Sequence, residues 1–133
     1  MNTQNGLPEI RKTIVLNASI EKVWKAVATS EGLAAWWMAN TFEPSIGKDF
    51  VLHAGSYGDS PCTVTELEPP YRVGFDWDKG WHLTFELKEV GDGQTEFTLI
   101  HSGWTAEQEA NRVTMNGGWE NIVNNKLPAY VEA

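Results

Sequence analysis

Residues 104–131, WTAEQEANRVTMNGGWENIVNNKLPAYV, decide how the rest of the chain must be arranged. From the glycine pair onward, Trp119, Ile122, Val123, Leu127, Tyr130 and Val131 recur close to the i, i+3, i+4, i+7 spacing of a one-sided helix. Glu120, Asn121, Asn124, Asn125 and Lys126 take the other side, so one face is built to be buried. The half at 106–116 is more polar, with only Ala110, Val113 and Met115 apolar after its opening Ala106, and extends the helix across the open end of its partner layer. Gly117 and Gly118 divide the two halves. Glycine costs about 1 kcal/mol in a helix interior, so the pair is read as a kink rather than a close backbone contact or a helix starting only at Trp119.

The partner layer is read upstream. Residues 9–16 alternate, with Ile10, Ile14 and Leu16 on one face, as in a first strand at a sheet edge. Ser19 is an N-cap with Glu21 in the first turn, ahead of the helical stripe Ile20, Val23, Trp24 and Val27. Ser30 opens a second short helix through Leu33, Trp36 and Trp37. Consecutive side chains diverge on a helix, so one of the two tryptophans belongs to the core and the other faces a cleft.

The period then falls to two. Residues 49–55 place Phe50, Leu52 and Ala54 on one face, and 60–68 place Cys62, Val64 and Glu66 together. Residues 71–77 align Val73, Phe75 and Trp77; 81–88 align Trp81, Leu83, Phe85 and Leu87; 95–102 align Phe97, Leu99 and His101. Turn chemistry at 44–47, 56–59, Pro69-Pro70, 78–80 and 91–93 separates them. The order predicts an α+β fold: one strand, two short helices, an antiparallel meander, then a long helix on one face of a curved sheet. Six strands about 4.8 Å apart span about 24 Å, while a helix is about 10–12 Å across. Either the sheet closes tightly around the helix or a cavity remains between them.

A chain of 133 residues fits one domain, taken as 8–131 after a polar, frayed segment at 1–7. The single cysteine, Cys62, excludes an intrachain disulfide, and no leader pattern opens the sequence, so a cytoplasmic location is expected. A net charge of −8 argues against nucleic acid and anionic lipid as partners, and no apolar run approaches the roughly 20 residues of a membrane span. The expected state is a monomer. No zinc-type spacing, phosphate-binding glycine loop or nucleophile elbow is present, so neither metal nor cofactor is expected. Seven tryptophans are many for an ordinary core, since each buried indole N–H needs a partner, and several are expected to line a space.

Taken in order, the segment 18–24 (ASIEKVW), Trp36-Trp37, the region from Val64-Thr65-Glu66-Leu67-Glu68-Pro69-Pro70 to Phe75-Asp76-Trp77, His101-Ser102-Gly103-Trp104 and Gly118-Trp119 resemble the SRPBCC, or START-like, helix-grip superfamily. Within it the chain resembles the branch related to the C-terminal domain of the activator of the heat-shock-protein-90 ATPase. The resemblance implies a hydrophobic pocket between sheet and C-terminal helix, used across the superfamily for lipids, sterols, polyketides, flavonoids and hormones. Its members are carriers, cyclases, hydrolases and co-chaperone domains, and the fold does not choose among them.

On this reading a lipid-like, polyketide or flavonoid-like guest contacts Trp37, Phe50, Val64, Phe75, Trp77, Trp81, Leu83, Phe85, Phe97, Trp104, Trp119, Ile122 and Val123, and Glu66 and His101 fix its orientation. Glu66, in line with Cys62 and Val64, orients a ligand hydroxyl or exchanges a proton; the plainer reading pairs it with Arg72 or turns it to solvent. His101 is the histidine in register with the apolar face and hydrogen-bonds a ligand carbonyl, unless it is a satisfied core group. Asp76 and Asp78 read as a solvated edge, and His53 and His82 as surface. The expected function is binding or transport of a small hydrophobic molecule without catalysis. The alternatives are a cyclase or hydrolase using Glu66 and His101, and a co-chaperone-like module that contacts a chaperone.

Overall fold

Six antiparallel strands form one curved sheet in the order β1-β6-β5-β4-β3-β2. They are β1 (Ile10–Leu16), β2 (Asp49–His53), β3 (Asp59–Glu68), β4 (Arg72–Trp77), β5 (Trp81–Gly91) and β6 (Gln94–Ser102). The computed structural model describes residues 6–53 and 58–133, so the expected inward placement of Ala54, part of the turn at 56–59 and most of the frayed segment lie outside the described residues. Of that segment, Gly6 bridges to Thr105 and the Leu7 N–H donates to the Trp104 carbonyl, so these two residues are held.

Strands β2 to β6 follow one another as hairpins, while β1 pairs with β6 at the far edge, as its pattern predicts. Crossing from β1 to β2 therefore takes the chain over the inner face, and α1 (Ile20–Val27) and α2 (Ser30–Trp36) make that crossing. The Ser19 hydroxyl caps α1 by accepting from the Lys22 N–H. Thr29, one residue before the expected cap, accepts from the Gly32 N–H, while Ser30 donates to the Asn40 carbonyl. A Cβ at Gly32 would lie 2.2 Å from the Lys25 carbonyl oxygen, so the two helices meet closely through this glycine.

The C-terminal segment comprises α3 (Glu109–Asn121), a wide π turn at Ile122–Lys126 and α4 (Leu127–Val131). Here the glycine reading is corrected: α3 runs straight through Gly117 and Gly118, where an added Cβ would meet nothing within 4 Å. The irregularity comes one turn later, and Pro128 explains it. Proline has no N–H for the Asn124 carbonyl and its ring crowds that group, so the turn ahead of it opens. The Leu127 N–H reaches back to the Ile122 carbonyl, five residues away. The buried residues of this segment, Trp119, Val123, Leu127 and Val131, are four apart. In a uniform α-helix each such step overshoots a full turn by about 40°, and the wide turn brings all four back onto one line. Tyr130, expected on the buried face, is exposed.

The space that one helix leaves uncovered is filled by α1, α2 and their side chains. Val64, Phe75, Leu83, Phe85, Phe97 and Val123 are each at most 1 % exposed, so no water-sized space adjoins them. Among the described residues the layers meet as a closed aromatic core, and the standing hollow expected between sheet and helix is absent from this state.

Candidate functional site

The interior is organised by aromatic rings, most of whose polar atoms are tied by hydrogen bonds. At the inner end of β6, His101 is fully buried, with its ring stacked on Trp77 at 5.1 Å and flanked by Trp81 at 5.1 Å and Trp104 at 4.5 Å. Trp77 and Trp81 end β4 and begin β5, directly opposite each other in register. Trp104 reaches the cage because the chain reverses at Gly103, with φ +92°, where a Cβ would lie 2.3 Å from the Gly80 carbonyl oxygen. Trp119 closes the cage from α3.

Three of these indoles are pinned by their N–H groups. Trp104 donates to the His101 carbonyl at 3.0 Å, Trp81 to the Gln108 side-chain oxygen at 3.0 Å, and Trp119 to His101 Nδ1 at 3.0 Å. An Nδ1 that accepts leaves the neutral ring's proton on Nε2. Nε2 is buried and has no hydrogen-bond partner among the described residues. Burial pushes this imidazole down to about 3, so the ring is neutral at ordinary pH. His101 is thus a fixed, uncharged donor with no acceptor among the described residues.

Of the two adjacent tryptophans, Trp36 belongs to the core. Trp36 is 2 % exposed and donates its N–H to the Ala26 carbonyl at 2.7 Å, whereas Trp37 is half-buried. The expected divergence of the two rings does not occur: they stack at 6.2 Å. Trp37 has left the helical conformation, with φ −126° and ψ −89°, and its ring turns inward. There it meets Trp119 at 5.2 Å, Trp77 at 5.5 Å, and Phe75 and Phe85 at 6.4 Å. Its indole N–H makes no hydrogen bond to the described residues. Trp37 and His101 both touch the same two rings, Trp77 and Trp119. Phe50 packs on Phe75 at 5.0 Å, Leu83 is fully buried, and Ile122 is half-buried against the same core.

Glu66 is not part of this interior. Its expected face is overturned by a bulge in β3, where the register with β4 shifts between Val64 and Glu66. Val64 stays opposite Phe75 and faces inward, while Glu66 comes opposite Gly74 and faces outward. On the outer face it accepts from Arg72 Nε, from Thr84 Oγ1 at 3.2 Å, and contacts His82 Nε2 at 2.6 Å. His82 Nδ1 meets Asp76 at 2.9 Å, and Arg72 also pairs with Glu86. A Cβ on Gly74 would lie 2.5 Å from Glu66 Oε2, so the missing side chain makes room for this strut. Burial alone would raise the Glu66 carboxyl, but the hydrogen bonds from Arg72 and His82 outweigh it and the net shift is downward. Glu66 and His101 therefore occupy opposite faces of the sheet and form no acid–base pair, which removes the geometry that catalysis by the two required. His82 belongs to the Glu66 strut, whereas His53 is exposed and meets Asp59. Among the described residues no group of three or more His, Cys, Asp or Glu side chains is placed to hold a metal ion, Asp76 and Asp78 included.

The residues that sequence reasoning missed are Gly74, Pro128 and Gln108. The first two had a legible signal, a glycine inside a strand and a proline inside a helix. Gln108 showed none, because its partner Trp81 is 27 residues away.

Comparison with known proteins places this geometry in a family. The profile described as Activator of Hsp90 ATPase homolog 1-like protein matches residues 17–132. No curated protein sequence matches the chain. Among solved structures, a Bacillus halodurans protein determined in solution is 43% identical, with a TM-score of 0.86, over 96% of this chain and 99% of that one. The Aha1 dimer from Colwellia psychrerythraea is similar at 24% identity and a TM-score of 0.76, over 88% and 91% of the two chains. DynU16, from the dynemicin biosynthetic locus, is similar at 21% identity and a TM-score of 0.81, over 94% of this chain and 47% of its own. At those identities the last two likenesses concern the fold alone. A match across nearly the whole chain, on a six-stranded sheet closed by a long C-terminal helix, means that this protein belongs to the Activator of Hsp90 ATPase homolog 1-like family, within the SRPBCC superfamily.

Proposed function

We propose that the protein binds a small, flat hydrophobic molecule between the sheet and the C-terminal helix, in the place the Trp37 ring now fills. The observation that carries this reading is His101 Nε2, a buried donor with no acceptor inside a cage of indoles. Leaving such a group unmet costs about 1–3 kcal/mol, and a guest oxygen meets it. A guest that displaced Trp37 would lie against Trp77 and Trp119, the two rings that also touch His101. Trp37 suits the part of a stopper: it is half-buried, lies just past the end of α2, and lacks the hydrogen bond that pins Trp36, Trp81, Trp104 and Trp119. No reaction is assigned.

The test is titration with a flavonoid and a fatty acid, following tryptophan fluorescence and thermal stability. A ligand at 100 times its Kd adds about 2.7 kcal/mol of stability. Saturable quenching with the ligand recovered unchanged, strengthened by Trp37→Ala, is expected. A transformed ligand would make the protein an enzyme, and absence of any saturable response would overturn the reading. A second reading, a co-chaperone-like module, is favoured by the family itself. Stimulation of a purified Hsp90 ATPase by this chain would establish it.

A further inference from the structure

The one charged side chain on the mouth of this site is a lysine. Between α2 and the last helix runs an open surface groove of about 550 Å³, walled by Ala34, Ala35, Trp36, Trp37, Lys126, Ala129 and Tyr130. That volume suits an organic molecule of modest size. Its lining is about as polar as it is apolar, with small alanines making the concavity and aromatic residues bounding it. Trp37 faces both the groove and the interior rings, so the groove lies against the stopper of the proposed site.

Lys126 is the one charged side chain in that lining. Arg11, Lys12, Lys48 and Arg72 each hold a carboxylate within 4 Å, whereas Lys126, like Lys25, Lys88 and Arg112, has no such partner among the described residues, and what sets it apart is its place at the groove. In a chain of net charge −8, an ammonium left without a carboxylate beside alanine methyl groups and aromatic rings is complementary to a guest with a hydrophobic body and one negative charge. The π turn contributes to this placement, since Lys126 is its last residue and lies next to Leu127, whose side chain is buried. The wide turn thus carries the lysine at the groove while its neighbour anchors the helix.

We propose that this groove is the mouth of the binding site and that Lys126 seats the anionic group of an aromatic carboxylate, whose ring enters beside Trp37. The proposal rests on the reading given under Proposed function and adds the ligand's charge. The guest is then a flat aromatic acid, with its carboxylate at the rim and its ring between the sheet and the helix. Partial screening by water keeps the lysine's contribution modest, about three- to tenfold in affinity.

The test uses two probes of the same shape, 2-naphthoate and 2-naphthamide. Both are titrated into the full chain and into Lys126→Gln and Trp37→Phe, with calorimetry for affinity and indole N–H resonances for location. The wild type is expected to bind naphthoate about three- to tenfold more tightly than the amide, with the Trp37 indole signal shifting. Lys126→Gln should equalise the two probes by weakening naphthoate, and raised salt should narrow the gap in the wild type alone. Trp37→Phe should change the affinity for both probes by the same factor. Equal affinities in the wild type or an undiminished preference in Lys126→Gln would overturn the anion seat and leave the hydrophobic site standing. Failure of both probes to bind, or a Trp37 signal that stays still, would overturn both.

Discussion

Trp119 and His101 are joined by a hydrogen bond of 3.0 Å from the indole N–H to Nδ1. The bond ties α3 to the last strand and selects the tautomer of the imidazole, which leaves its proton on Nε2. One contact thus sets both the seating of the C-terminal helix and which imidazole nitrogen carries the proton that finds no acceptor among the described residues. A nitrogen-15 NMR spectrum should show His101 neutral at pH 7 with Nε2 carrying the proton.

The same residue makes stability acid-sensitive. Its value falls from 6.5 to about 3 in the folded state because burial opposes the charged form. The unfolded chain therefore binds more protons across that window, so stability is fully present above pH 6.5 and declines as pH drops toward 3. Urea midpoints measured from pH 7 to pH 4 should fall in the wild type and fall less steeply in His101→Gln.

Trp119→Ala should lower stability by about 3–5 kcal/mol, the range for removing a large side chain from a closed core, because Trp119 is only 2 % exposed. Trp119→Phe keeps a ring but strands Nδ1, and should cost about 1–3 kcal/mol. Denaturant titration of the two variants separates packing from the hydrogen bond.

Three glycines should respond in opposite directions. Gly117→Ala and Gly118→Ala replace exposed helical glycines where a methyl group meets nothing, so each should stabilise by about 0.5–1 kcal/mol. Gly103→Ala places a Cβ 2.3 Å from a backbone oxygen at φ +92° and should destabilise by more than about 2 kcal/mol. Thermal melts of the three variants would check this, and a destabilised Gly117→Ala would restore the kink.

Gly74→Ala should push Glu66 away from His82 while leaving the core untouched, at a cost below about 1 kcal/mol for a partly exposed strut. The Glu66 carboxyl is held below its ordinary 4.5, so its contribution is present above that pH and is lost as pH falls through the lower folded value. Glu66→Gln should remove that dependence without altering binding of any interior guest, which titration at pH 7 would show.

The sequence by itself determined where the strands and helices fall and which residues face inward. Period-two alternation set Val73, Phe75 and Trp77 on the core face of β4, and Trp81, Leu83, Phe85 and Leu87 on that of β5, because side-chain direction along a regular strand is a local property of the backbone. It also placed β1 at an edge and made one of two adjacent tryptophans a core residue. What the tertiary structure decided were the departures from regularity. A bulge in β3 flipped Glu66 to the outer face, and nothing within that strand's alternation reveals it, since the shift exists only relative to β4. Pro128, rather than the glycine pair, reshaped the last helix, because exposed glycines weaken a helix without bending it while a proline removes a hydrogen bond outright. Closure of the hollow was equally out of reach of pattern reading. It depends on the Trp37 ring turning inward among Phe75, Trp77, Phe85 and Trp119, and contacts between residues far apart in sequence are fixed only when the layers meet.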